Sequence, residues 1–78
     1  MTYEEAKKTA LEKRFGSTAL GILRAAERGA VNPYDYFGFS MRRSWSYAYF
    51  TRLCAAGLLR LVAAPDGRRG TNWYVLTD

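Results

Sequence analysis

Six arginines lie in the second half of this chain: Arg42, Arg43, Arg52, Arg60, Arg68 and Arg69, with no lysine among them. Only Asp66 and Asp78 oppose them between residues 36 and 78, a net of +4, while residues 1–35 carry six basic against five acidic side chains. Arginine presents a planar fork of donors that matches phosphate and guanine, whereas lysine is a point charge. The spacing is as informative as the count. Arg42 and Arg43 are adjacent, and Arg68 and Arg69 are enclosed by Gly67 and Gly70. The chemistry this arrangement suits is contact with a polyanion backbone at several separated points. A single arginine in a turn is ordinarily just solvated, so it is the set that carries the reading. Overall the chain is +5 with an isoelectric point near 9.7.

Catalytic chemistry finds no foothold. The chain has no histidine and one cysteine, Cys54. Its acids show no metal-ligand spacing: Glu4 and Glu5 suit a helix cap, and Glu12, Glu27 and Asp35 are scattered. Gly67-Arg68-Arg69-Gly70 lacks the pattern of a phosphate-cradling loop. The expectation is a non-enzyme without cofactor or metal. One cysteine forms no internal disulfide, which favours a reducing, cytoplasmic setting, with the nucleoid as the location if DNA is bound. Cys54 itself reads as a small buried hydrophobe. Charged residues interrupt the N-terminal region, so no secretion signal is expected, and no apolar run approaches a membrane span. With 78 residues, 49% of them hydrophobic, the chain is expected to be one ordered domain.

The elements that must position the arginines follow from capping and periodicity. Thr2 and Glu5 form a capping box for a helix from about Tyr3 to Arg14, with Tyr3, Ala6 and Ala10 on one thin apolar stripe and Leu11 beside it. After Phe15-Gly16, Ser17 or Thr18 can cap a second helix to about Arg28, stopped by Gly29, with Ala19, Ile22, Leu23 and Ala26 inward. Asn32 before Pro33 marks a short helix to Phe37, ended by Gly38. Ser40 to Ser44 reads as a basic connector, and Ser44 can cap a third main helix from Trp45 to about Ala56. At 100° per residue, Tyr49, Phe50 and Leu53 share its inner face, and Tyr47, Ala48, Thr51, Arg52 and Ala55 its outer face. Leu58 to Ala63 and Thr71 to Leu76 read as two strands around a Pro65-Asp66-Gly67 turn.

The run Ala55-Ala56-Gly57-Leu58-Leu59, followed by the hairpin and Tyr74-Val75-Leu76-Thr77, resembles the end of a winged helix-turn-helix domain, over roughly residues 17–77. That resemblance implies a small α+β fold: three to four helices, then a two-stranded C-terminal β-hairpin as the wing, with residues 1–15 a peripheral N-terminal helix. It also implies sequence-specific binding of double-stranded DNA by a transcriptional regulator or repressor, of the kind viruses and mobile elements carry. Tyr47, Ala48, Thr51 and Arg52 would then face the major groove. Arg42 and Arg43, with Ser44 and Trp45 at the helix start, would lie where backbone contacts occur, and Arg68 and Arg69 at the wing tip would take phosphates. Regulation would come through occupancy, partner contacts or a homodimer formed by the N-terminal helix.

Eight of the twelve aromatic residues lie between Tyr34 and Phe50. Most are expected in the core, but seventeen residues cannot easily bury all eight. Exposed tyrosine beside arginine suits DNA. It suits a protein interface equally well, where these residue types dominate binding energy. The alternative expectation is therefore a winged-helix protein-binding module, such as a phage-encoded inhibitor or adaptor acting on a host nucleic-acid machine.

Overall fold

The computed structural model describes residues 1–37, 43–65, 67–68 and 72–78. Four helices and a C-terminal hairpin follow one another among them: α1 (Tyr3–Glu12), α2 (Gly16–Arg28), α3 (Pro33–Phe37), α4 (Arg43–Ala55), β1 (Leu59–Val62) and β2 (Trp73–Leu76). This is a small α+β architecture.

α1 begins on the expected capping box. The Glu5 amide donates to Thr2 Oγ1 at 3.3 Å, and the Thr2 amide donates to Glu5 Oε1 at 2.9 Å. The Thr2 amide, and after it the Thr2 hydroxyl, which donates to the same Oε1 at 3.1 Å, hold the Glu5 carboxyl below its usual range. A tie from outside the helix was not legible in its sequence: the Tyr3 amide donates to Glu27 Oε2 of α2 at 2.9 Å, and Arg24 lies 4.4 Å over the Tyr3 ring. Tyr3, Ala6 and Ala10 are buried against α2, so the thin stripe belongs to the core, while Leu11 is exposed.

The turn into α2 corrects the expected cap. α2 starts at Gly16, one residue before Ser17, and Phe15 at its N-cap makes no side-chain capping bond. α1 ends at Glu12 rather than Arg14 because the chain closes a Schellman motif. The Arg14 amide donates to Leu11 O and the Phe15 amide to Ala10 O, which needs a left-handed residue at Arg14, φ +58°. α2 runs to Arg28 with the four expected residues buried.

Asn32 caps α3: its Oδ1 accepts from the amides of Tyr34 at 2.8 Å and Asp35 at 3.3 Å. Gly38, its expected stop, lies outside the described residues. α4 begins at Arg43 and ends at Ala55, so Arg43 and Ser44 belong to the helix and Ser44 is not its N-cap. Its end matches expectation. Gly57 takes φ +78°, its amide donates to Cys54 O, and the Leu58 amide donates to Leu53 O. The two leucines that this closure brings together are both about 1% exposed.

β1 and β2 pair antiparallel with Leu59 opposite Leu76 and Val62 opposite Trp73. The Arg68 amide donates to Pro65 O at 3.0 Å, closing the expected turn, and Gly67 supplies φ +77° there. Thr71 lies outside the described residues, and the return strand begins at Trp73. The second edge of β2 is also occupied. Val31 and Tyr74 exchange two backbone bonds of 2.8 Å, so the segment between α2 and α3 forms a one-residue bridge to β2. Leu59 of β1 and Tyr74 and Leu76 of β2 share one core with Ile22, Leu23, Phe50, Leu53 and Leu58. Thr77 closes the chain onto the end of α4: its amide donates to Leu58 O at 3.1 Å and its hydroxyl to Gly57 O at 2.7 Å.

Candidate nucleic-acid interface

α4 divides by face, as its periodicity requires. Phe50 and Leu53 are sealed in the core, and Tyr49 is half-buried, its ring 6.2 Å from that of Phe37. Ala48, Thr51, Arg52 and Ala55 are exposed on the outer side. They make a strip about two helical turns long, with small side chains around one arginine.

Tyr47 departs from the expected outer face. It is half-buried, its ring meets Tyr34 edge-on at 6.0 Å, and its hydroxyl accepts from Asn72 Nδ2 at 3.4 Å. A helical wheel cannot register this, because the covering groups come from α3 and from the residue before β2. Asn72 holds φ +64°, a conformation asparagine tolerates better than most residues. Its carbonyl accepts from Asn32 Nδ2 at 3.4 Å. Asn32, almost fully buried, thus joins the start of α3 to the base of the hairpin, and Asn72 joins the hairpin to α4. Asn72 carried no signal in the sequence beyond its type.

The arginine set is only partly brought into view. Arg43, Ser44 and Trp45 form the first turn of α4, but their side chains lie outside the described residues, as do Arg42 and Arg69 entirely. Arg52 is exposed, and it shares an open cleft of about 390 Å³ with Lys13, Phe15, Ala55 and Ala56. The end of α1 therefore contributes a second cation to the cleft at the outer end of α4, which no local pattern encodes. Arg60 faces Asp78 at 3.8 Å, but both side chains are well exposed and the pair contributes little.

Arg68 is engaged. Its Nη2 lies 2.7 Å from Asp35 Oδ1, and its guanidinium carbon is 5.1 Å from the centre of the buried Trp73 ring. Both partners of the ion pair are about half exposed. The hairpin turn is thereby tied to the first turn of α3. Asp35 and Trp73 were not singled out by the sequence, where Asp35 stands as one scattered acid.

Burial raises the thiol of Cys54 above its usual range. It raises the Tyr74 phenol too, with smaller contributions from Cys54 and Tyr47. A thiol so shifted is a poor nucleophile at neutral pH, and Cys54 is half-buried, packed against the core rather than enclosed in it as expected. Among the described residues no group of acids and cysteine could hold a metal ion, and no helix is long and apolar enough to cross a membrane. Comparison with protein-family models, with curated proteins and with solved structures returns no match.

Proposed function

We propose that this protein binds double-stranded DNA as a minimal winged helix-turn-helix, with α3 and α4 as the helical pair and the β1–β2 hairpin as the wing. The observation that carries this reading is the Val31–Tyr74 bridge. It flanks β2 on the side away from β1, so the hairpin rises from a fixed base beside α4. Asn32 and Asn72 lock that base to both helices. A helix with its side chains is about 10–12 Å across, close to the width of the major groove. The strip of Ala48, Thr51, Arg52 and Ala55 lets the α4 backbone approach base edges closely, with Arg52 as the side chain able to read guanine. Arg42, Arg43, Arg68 and Arg69 supply phosphate contacts on either side. Transcriptional regulation or repression, by occupancy of a DNA site, is the role that follows.

The deciding measurement is duplex affinity across a salt series, read by fluorescence anisotropy. Four arginines on phosphates give a log–log slope of roughly −3.6 by counterion release. A protein that binds no duplex even at low salt overturns the proposal. That outcome promotes the protein-binding module, a reading favoured by one feature here: the carboxylate of Asp35 already meets the charge of Arg68.

A further inference from the structure

The Asp35–Arg68 pair crosses from α3 to the hairpin turn, and it presents a geometry that a DNA phosphate would also adopt. An anionic oxygen sits 2.7 Å from one guanidinium nitrogen, the distance of a charge-assisted hydrogen bond. The guanidinium is also held against the Trp73 indole, which fixes where it lies in the free protein. Trp73 itself is buried at the start of β2, so this platform belongs to the core rather than to the turn.

We infer that Asp35 is an internal competitor for phosphate at Arg68: its carboxylate occupies the wing arginine in the free protein and must be displaced when the wing meets a DNA backbone. The inference rests on the DNA-binding reading above and concerns how that binding is tuned. Its consequence is selective. Random duplex is held almost wholly by phosphate contacts, so blocking one of them weakens non-specific binding most. A cognate site, held additionally through base edges, tolerates the exchange better. Exposed ion pairs are weak enough to be exchanged. Arg28 lines the same open cleft as Asp35, between α2 and α3, so the displaced carboxylate keeps a cation nearby.

A double-mutant cycle on random duplex tests this, using Asp35→Asn, Arg68→Ala and the two combined. Asp35→Asn should raise affinity about threefold to tenfold, since releasing an exposed pair is worth up to about a factor of five and a repelling charge is also removed. In the Arg68→Ala background the same change should have less than about a twofold effect. Thermal melts of all three confirm folding, since Asn preserves the shape of Asp35 and both sites are exposed. The Arg68 Nε–H resonance gives a second readout: it should start from different positions in free wild type and free Asp35→Asn and reach the same position in both when random duplex is added. Three results overturn the inference. Equal gains in both backgrounds make Asp35 a bare repelling charge. Unchanged affinity shows that nothing is displaced. A loss of affinity shows that Asp35 positions Arg68 for DNA instead. Each of these leaves DNA binding intact. Absence of binding in every variant at low salt removes the underlying reading, and this inference with it.

Discussion

Leu53 and Thr51 stand two residues apart on α4 and should answer to substitution in opposite ways. Leu53→Ala deletes a side chain about 1% exposed in a core that has few of them, and should lower stability by roughly 2–5 kcal/mol. Thr51→Ala should leave the melt unchanged and weaken binding. Tyr47 belongs between them. Its half-buried ring and its contact with Tyr34 put Tyr47→Ala at about 1–2 kcal/mol, whereas Tyr47→Phe gives up one long hydrogen bond and should stay below about 1 kcal/mol. Urea melts of the four variants check the order. A Tyr47→Ala protein as stable as the wild type would return Tyr47 to the outer face. For Leu53 and Thr51 the helical phase was legible in the sequence, because both depend on one helix alone. For Tyr47 it was not, because its neighbours come from α3 and from Asn72.

At the scale of elements, two helices end by the same device with different residues. α1 and α4 both close through Schellman bonds, but the left-handed position is Arg14 in the first and Gly57 in the second. An L-residue with a Cβ is strained there by roughly 1–2 kcal/mol, part of which glycine returns as unfolded-chain entropy. Arg14→Gly should therefore stabilise the protein by about 0.5–1 kcal/mol. Gly57→Ala should destabilise it by about 1 kcal/mol, purely through backbone strain, since a Cβ at Gly57 would meet nothing. The pair is read by differential scanning calorimetry, and shifts of the same sign would show that cap conformation does not govern these ends. The Gly57 stop was visible because glycine between an apolar helix and an apolar strand has few other uses. The α1 stop was not, because arginine gives no sign of a left-handed turn.

The molecule as a whole should lose stability on the alkaline side. Cys54 and Tyr74 both have folded-state pKa values raised by burial above their usual values of 9.0 and 10.0. The fold therefore favours their neutral forms. Its advantage is complete below the unfolded-state values and is lost as pH rises through them towards the folded-state values. Urea midpoints measured from pH 8 to 11 should stay flat at first and then fall from about pH 9. Cys54→Ser should remove the first part of that fall and keep the second. A midpoint that holds steady to pH 11 would mean that both groups ionise in place. Since α4 carries Cys54 and β2 carries Tyr74, the same titration should loosen the packing between helix and hairpin before it affects the α1–α2 pair.

The separate pieces of this fold were legible along the chain. The Thr2–Glu5 box, the Asn32–Pro33 start, the Gly57 stop, the inner face of α2 and the Pro65–Gly67 turn are each specified by residues within a few positions of one another. Capping, helical phase and turn chemistry act over that range. How those pieces meet was settled by packing. It paired Val31 with Tyr74 across forty-three positions, set Asp35 against Arg68 and covered Tyr47 with Asn72. Each of these joins residues whose separation along the chain carries no periodicity. A hydrogen bond or an ion pair needs its two groups within about 3–4 Å, and that closeness arises only once the apolar faces of α2 and α4 and the hairpin have packed together.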